Sequence, residues 1–351
     1  MVKKIMAIFL VISLIACTSE SALNSVGSSL DEQEHQRLLL KTKRAILNLD
    51  RSLLESLVTQ IDVNRLLPDK SSLLAWATET QDPILVNIIL ENGANVQNAD
   101  GNRFSPLIQA CRYGNTEIIL ALLTKGASPN ISIDDGTNAF HLCAGSASTE
   151  VLEYMINVGA DINAKNDKGQ TALMWSANAG NVENLNYLVN IGADINEQSK
   201  QGYSVLFFAI KSQNLPVVKT AVALGANLFA KAKDGTTAMQ LGVYTKNYAF
   251  LTWIAGELNS FMNEDEVKQV ITAFDRNGQQ LIHAAVQANQ ADLVKALLVL
   301  GADINQRSEP SKLKWRYEAN FKTEDYVPPQ LTAIEIAKQQ KLEQMMAIMT
   351  N

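Results

Sequence analysis

The chain repeats itself, and the repeat length limits what it can fold into. Gly93-Ala94-Asn95-Val96, Gly126-Ala127-Ser128-Pro129, Gly159-Ala160-Asp161-Ile162-Asn163, Gly192-Ala193-Asp194-Ile195-Asn196 and Gly225-Ala226-Asn227-Leu228 follow one another at intervals of 33 residues. A sixth copy, Gly301-Ala302-Asp303-Ile304-Asn305, begins 76 residues after Gly225, which is two periods plus ten, so an insertion lies between them. Stepping back 33 residues from Gly93 reaches Gln60-Ile61-Asp62-Val63-Asn64, a degenerate copy that lacks the glycine. A period of this size means supersecondary units that cannot bury their own apolar faces and must stack on neighbours. Length alone then says little about domain number.

Other landmarks recur in phase. Gly136, Gly169, Gly202, Gly235 and Gly278 recur in phase with short helix starts, and at Ser105, Thr171, Ser204 and Thr237 a side-chain oxygen suits an N-cap. Small residues follow at Ala110, Ala177, Ala209 and Ala285, where a second helix can come close. A second apolar helix, for example Val182 to Val189 or Leu293 to Val299, ends at the repeat glycine, which suits a left-handed cap.

Turn, helix, short turn and helix in 33 residues resembles the ankyrin repeat over about residues 35 to 351, and Asn166 to Asn196 lies close to that family's consensus. The resemblance implies an all-α solenoid of stacked helix-turn-helix units with β-hairpin-like connecting loops. Expected units are 35–66, 67–99, 100–132, 133–165, 166–198, 199–231, 232–274 with an insertion, 275–326 with a long loop, and a C-terminal cap at 327–351. Only one copy keeps proline after the cap (Pro106), and the family's histidine survives only as His141 and His283, where it implies a structural hydrogen bond to neighbouring turns.

The ends and the breaks are distinctive. Arg37 to Asn64 reads as a glycine-poor first helix pair, Thr332 to Ala337 as a last inner helix and Gln339 to Met349 as a short cap. The ten extra residues fall near Glu257 to Phe274, where Asn263-Glu264-Asp265-Glu266 looks like a helix start with favourable acids in its first turn. A second enlargement at 306–331 carries Trp315, Tyr317, Phe321 and Tyr326, and reads equally well as a recognition loop or a plain insertion.

The N-terminus has a different character. Lys3 and Lys4 precede an apolar run from Ile5 to Leu14, the parts of a secretory signal and too short to span a bilayer. Leu14-Ile15-Ala16-Cys17 resembles the lipobox of bacterial lipoproteins, which implies cleavage of 1–16 and acylation of Cys17. Thr18, where inner-membrane members carry aspartate, implies the outer membrane, with the solenoid facing the periplasm. Residues 17–34 read as a polar flexible tether reaching roughly 20–25 Å.

The net charge of −6, about −8 once Lys3 and Lys4 are lost, argues against a nucleic-acid partner, which needs clustered cations. The short basic stretch at Lys312, Lys314 and Arg316 does not reverse that. No metal-binding, phosphate-binding or nucleophilic motif is visible, so no catalytic residue, metal or cofactor is expected. His35 is expected to be structural, and Asp161, Asp194 and Asp303 are expected to stabilise turns. Cys111 and Cys143 occupy alanine slots of successive inner helices and read as free buried thiols, since helix axes ~8–10 Å apart exceed disulfide reach, with a disulfide in an oxidising periplasm as the alternative.

The implied function is binding of a protein partner by a monomeric domain, on the groove of loop tips and exposed inner-helix positions. Phase places Phe104, Arg112, Tyr113, Asp134, Asp135, Lys168, Asn178, Tyr203, Lys211, Asp234 and Tyr244 there. Aromatic and Arg positions, chiefly Phe104, Arg112, Tyr113, Tyr203 and Tyr244, are the natural anchors. Trp76 and Trp175 sit between core and groove, with core expected. An acidic groove on a membrane protein is compatible with an immunity or inhibitor lipoprotein against a periplasmic toxin or hydrolase, and with a stress-protection scaffold for an envelope enzyme.

Overall fold

Turn, cap and helix recur in three dimensions with the period seen in the sequence. The computed structural model describes residues 32–97, 105–311, 315–319, 322–326 and 329–350. Its inner and outer helices pair as α1 (32–47) with α2 (Arg51–Val58), α3 (Leu73–Glu79) with α4 (Pro83–Glu91), α5 (Pro106–Tyr113) with α6 (Thr116–Thr124), and α7 (Ala139–Ser146) with α8 (Thr149–Asn157). There follow α9 (Ala172–Ala179) with α10 (Val182–Asn190), α11 (Val205–Lys211) with α12 (Leu215–Ala223), and α13 (Ala238–Tyr244) with α14 (Tyr248–Phe261). After an additional helix α15 (Glu264–Thr272) come α16 (Leu281–Gln287) with α17 (Ala291–Val299), strands β1 (Trp315–Ala319) and β2 (Lys322–Tyr326), and α18 (Ala333–Gln339) with α19 (Glu343–Thr350).

Short helices need their ends satisfied, and the sequence supplies the caps. Thr171, Thr237 and Thr332 accept a first-turn amide, the last two within reciprocal capping boxes with Gln240 and Glu335. Ser105 and Ser204 depart from expectation: neither makes a side-chain cap bond, and both hydroxyls are buried without a partner. Outer helices start on Asp82, Asn115, Asn181, Asn214 and Asn247, each accepting from its own first turn. Gly159 and Gly192, at φ +96° and +104°, occupy the left-handed position after those helices, which favours glycine although a Cβ would meet nothing within 4 Å.

The chain divides into two compact units. The first runs to Asp134 and includes Asn138–Cys143 and Glu150–Ala160; the second takes Asp135–Thr137, Ala144–Thr149 and everything from Asp161 on. In the first, α3 packs on α5, and α2, α4 and α6 form the outer row. In the second, α9, α11, α13, α16 and α18 stack in one row, and α10, α12, α14, α17 and α19 in the other. Fully buried Leu, Ile and Val such as Leu85, Ile89, Leu185 and Val217 fill the space between rows, each stabilising by ~1.5–3 kcal/mol.

Successive loops are joined by side-chain rungs. Asn64 donates to the Gly93 carbonyl at 3.0 Å and Asn130 to that of Gly159 at 2.8 Å in the first unit. Gln97 does the same for Gly126 at 2.7 Å, and Asn196 for Gly225 at 3.2 Å in the second unit. The degenerate copy at Asn64 is thus a working rung despite its missing glycine. Phe229 occupies the next rung position and has no side-chain amide to offer, and the unit ahead of it is the one that carries the insertion.

Three expectations change. Cys111 and Cys143 form a disulfide, with their Cα atoms 4.5 Å apart. Helix-axis distance is the wrong measure at this seam: Cys111 is the second small residue of its helix and Cys143 the first of the next, so the two face each other where small side chains let backbones approach. Residues 32–34, assigned to the tether, already belong to α1. The 306–331 enlargement contains an antiparallel hairpin, with Trp315 opposite Tyr326 and Tyr317 opposite Glu324. It springs from an Arg307–Thr332 bridge that is the same kind of pairing as Ser132–Asn138, Gln198–Ser204 and Lys231–Thr237 elsewhere. Those bridges are the expected hairpin-like connections, and the long loop is one of them extended.

The insertion falls where the period demands. α14 is lengthened to 14 residues and α15 follows, opened by a capping box between Asn263 and Glu266.

Candidate protein-binding site

Turn chemistry fixes the loop tips before any partner is considered. Asp135 and Asp234 accept the amides of Thr137 and Thr236 at 3.0 and 2.9 Å, and those bonds hold both carboxyls below the usual range. In the second unit the tips are then bonded to each other, Asp167 N to Asp135 O at 2.8 Å, Lys200 N to Lys168 O at 2.9 Å and Lys233 N to Gln201 O at 2.9 Å. Side chains on these tips and on the adjoining inner helices are therefore presented by a continuous hydrogen-bonded ladder.

Beneath these tips lies a cavity of 270 Å³. Lys168 and Gln170 come from one tip, Asp135 from the tip before it, Met174, Trp175 and Asn178 from α9, and Phe208 and Lys211 from α11. Phe208 is buried and Trp175 half-buried, so the floor is aromatic. The Lys211 ammonium lies 5.5 Å from the Phe208 ring centroid. The indole Nε1 of Trp175 is buried and has no hydrogen-bond partner, an expense that a folded core normally avoids. Asp135 is the one acid among the lining residues, and its carboxylate is committed to Thr137. The lining thus offers two ammonium groups.

Sequence comparison agrees with the architecture. Profiles described as ankyrin repeats (3 copies) match residues 43–133 and 129–199, and a profile described as ankyrin repeat matches 277–309, together more than half of the chain. The chain belongs to the ankyrin-repeat family. The crystal structure of the human ASB11 ankyrin repeat domain aligns with TM-score 0.51 at 22% identity, over 57% of this chain and 90% of that one, a likeness of fold. No curated protein sequence gives a significant match. Ankyrin repeats are in general protein-binding modules.

Within this ankyrin stack the sequence-derived positions fare differently. Arg112 and Tyr113 are exposed in the first unit, and the Tyr113 hydroxyl donates to Glu79 at 2.6 Å, which raises its pKa. In the second unit Lys211, Lys168 and Asn178 meet at the cavity. Tyr203 is half-buried against Phe207, ring centroids 5.7 Å apart. Tyr244 is half-buried beneath the Arg276 guanidinium at 4.1 Å, and its hydroxyl accepts the Arg276 amide, so it braces a turn. Phe104 and Phe321 lie outside the described residues, as does Cys17; Trp315, Tyr317 and Tyr326 are placed by their strands alone.

His141, His283 and the turn acids have structural partners, whereas the buried His35 Nε2 has none. His141 and His283 accept the amides of Asn138 and Gln280, and His283 also bonds the Gln306 carbonyl at 2.9 Å, while burial lowers its pKa. Asp161, Asp194 and Asp303 each accept the amide two residues on, as expected of turn stabilisers. Trp76 donates to Ser71 and carries Lys43 over its ring at 3.7 Å. Among the described residues no cluster of His, Cys, Asp and Glu could hold a metal, and no helix is long and apolar enough to cross a membrane.

Trp175 and Phe208 were missed as site residues, because an aromatic at the inner-helix phase reads as core. The acidic groove expected from Asp134, Asp135 and Asp234 is also revised at this cavity, where lysines outnumber acids.

Proposed function

We propose that the chain is a membrane-anchored, periplasm-facing, non-catalytic protein-binding module whose second unit takes an acidic segment of a protein partner at Lys168 and Lys211. The observation that carries this reading is the aromatic-floored cavity lined by the Lys168 and Lys211 ammonium groups, its one acid, Asp135, being committed to Thr137. A carboxylate there gains charge-assisted hydrogen bonds while an attached apolar stem covers the aromatic floor. The disulfide between Cys111 and Cys143 supports an exported chain, since such bonds persist in oxidising compartments. The signal-like residues 1–16 and Cys17 support acyl anchoring.

Affinity capture from envelope extracts, comparing the wild-type chain with a Lys168→Glu/Lys211→Glu variant, tests the groove. A partner retained by the first and lost by the second is expected; equal capture removes the cavity from the account. Capture of one protein at one-to-one stoichiometry sharpens the reading to an immunity or inhibitor lipoprotein, whereas several weak partners indicate a scaffold. Anchoring is tested by the mass of the chain extracted from membranes and by release of a Cys17→Ala variant into the soluble fraction.

A further inference from the structure

The first helix presents a second surface, unlike the groove in position and in chemistry. α1 buries Leu39, Thr42, Ala45 and Ile46 against its own unit. At about 100° per residue, Gln33, Arg37, Leu40, Lys41, Arg44 and Leu47 fall on the opposite side within one face roughly 120° wide. Leu40 and Leu47 are 42% and 49% exposed, and Leu49 just beyond the helix is 54% exposed. Lys41 and Arg44 have no carboxylate partner among the described residues, and Arg37 meets only the exposed Glu34, at 3.5 Å. The remaining nearby acid, Glu32, is taken by Arg65. In a chain of net charge −6 this face carries three cations against one acid.

An end helix needs a polar outer side, but that requirement does not explain half-exposed leucines set among unpaired cations. Fourteen residues, 18–31, separate Cys17 from α1 in the sequence, at most ~50 Å of chain. An acyl chain at Cys17 would therefore keep this face able to reach the lipid headgroups, where at contact its charges lie within the ~8 Å Debye length of physiological salt. Basic side chains are attracted to anionic lipid, and leucines between them can enter the headgroup boundary.

We propose that the Arg37, Lys41 and Arg44 face of α1, with Leu40 and Leu47, docks on an anionic lipid surface and sets the orientation of the first unit on the membrane. The proposal rests on the anchored reading for its biological setting, yet the face can be tested without the anchor.

The full chain lacking 1–16 and carrying Cys17→Ser, and so unacylated, is sedimented with phosphatidylethanolamine–phosphatidylglycerol vesicles and with phosphatidylcholine vesicles. Preferential binding to the anionic vesicles is expected. It should fall at least five-fold in Arg37→Gln/Lys41→Gln/Arg44→Gln and on raising salt tenfold, and two- to three-fold in Leu40→Ser/Leu47→Ser. Lys168→Glu/Lys211→Glu should bind vesicles as the parent does. Circular dichroism melting verifies that each variant is folded. Absence of binding by the parent, or equal binding across lipids or face variants, overturns the proposal. The mass of the membrane-extracted wild-type chain judges the anchor separately: an acylated chain whose Cys17→Ser form ignores anionic lipid retains its anchor and loses the docking face, and the converse result retains the face alone.

Discussion

Two units of the second half show what the repeat can and cannot change. In 166–198 the turn is closed by Asn166, which bonds Thr137 and Gln170, and α9 and α10 run eight and nine residues before Asn196 reaches Gly225. In 232–274 the turn and inner helix are nearly the same, with Thr237 capping α13 and Asn247 capping α14. Beyond that point the units differ: α14 has 14 residues, α15 follows, and the preceding rung position holds Phe229. Even so, α14 packs directly on α17, so α15 is added beside the outer row without interrupting it. In these two units the tips and inner helices keep one length, held by tip-to-tip bonds and close helix contact. The outer side, open to solvent, can grow.

The largest expected effect asks whether the lengthened helix is structural. Leu258 and Leu188 are both fully buried on α14 and α10. Leu258→Ala and Leu188→Ala should each destabilise by ~2–5 kcal/mol in urea unfolding. A Leu258→Ala cost well under 1 kcal/mol would make the extension an ornament and break the comparison.

Removing the covalent tie comes next. Cys111→Ala/Cys143→Ala, or reduction, should lower stability by ~2–4 kcal/mol for a bridge spanning 32 residues, read as a loss in urea midpoint of the first unit. No shift on adding a reductant would mean that the bond is absent in solution.

Glycines sharpen the contrast between inner and outer sides. A Cβ at Gly202 would meet the Lys233 nitrogen at 2.8 Å, whereas one at Gly192 meets nothing within 4 Å; both positions have positive φ. Gly192→Ala should cost ~1 kcal/mol from backbone strain alone, and Gly202→Ala clearly more, as thermal melts would show. Equal costs would mean that the tip ladder tolerates slippage.

Acid titration should give the smallest effect, and the same one in regular and lengthened units. Asp69, Asp135 and Asp234 occupy one phase and accept from Ser71, Thr137 and Thr236; the Ser71 hydroxyl and amide bring Asp69 from 3.8 to about 2. Each carboxyl is depressed on folding, so its contribution is present above the unfolded range and is lost as pH falls through the folded one, which for Asp69 lies at about 2. Asp69→Asn should flatten that part of a melting-temperature profile. A profile unchanged by the substitution would show that its turn does not depend on charge. Because Asp69 is substantially solvent-accessible, screening keeps the change small.

Much of this was legible because local chemistry repeats. Thr171, Thr237, the repeat glycines and the acids at Asn263 to Glu266 carry their roles in residue type and spacing, and the excess of ten residues located α15. The caps at Ser105 and Ser204 failed because the same residue type met a different buried setting. The Cys111–Cys143 bridge was hidden because it depends on which small residue faces which neighbour, a one-position offset between helices. Trp175 could not be read as a site residue, since only the packed structure shows its N–H without a partner.

The rungs have a consequence for how such a chain can change over generations. The side-chain amides of Asn64, Gln97, Asn130 and Asn196 each reach the carbonyl 29 residues ahead. Copying or deleting one whole 33-residue block leaves every rung with an acceptor, whereas a partial block strands one. The ancestry of the stack is thereby biased toward whole-block duplication, and Phe229, which needs no acceptor, marks a place where ten residues could be added without breaking a rung.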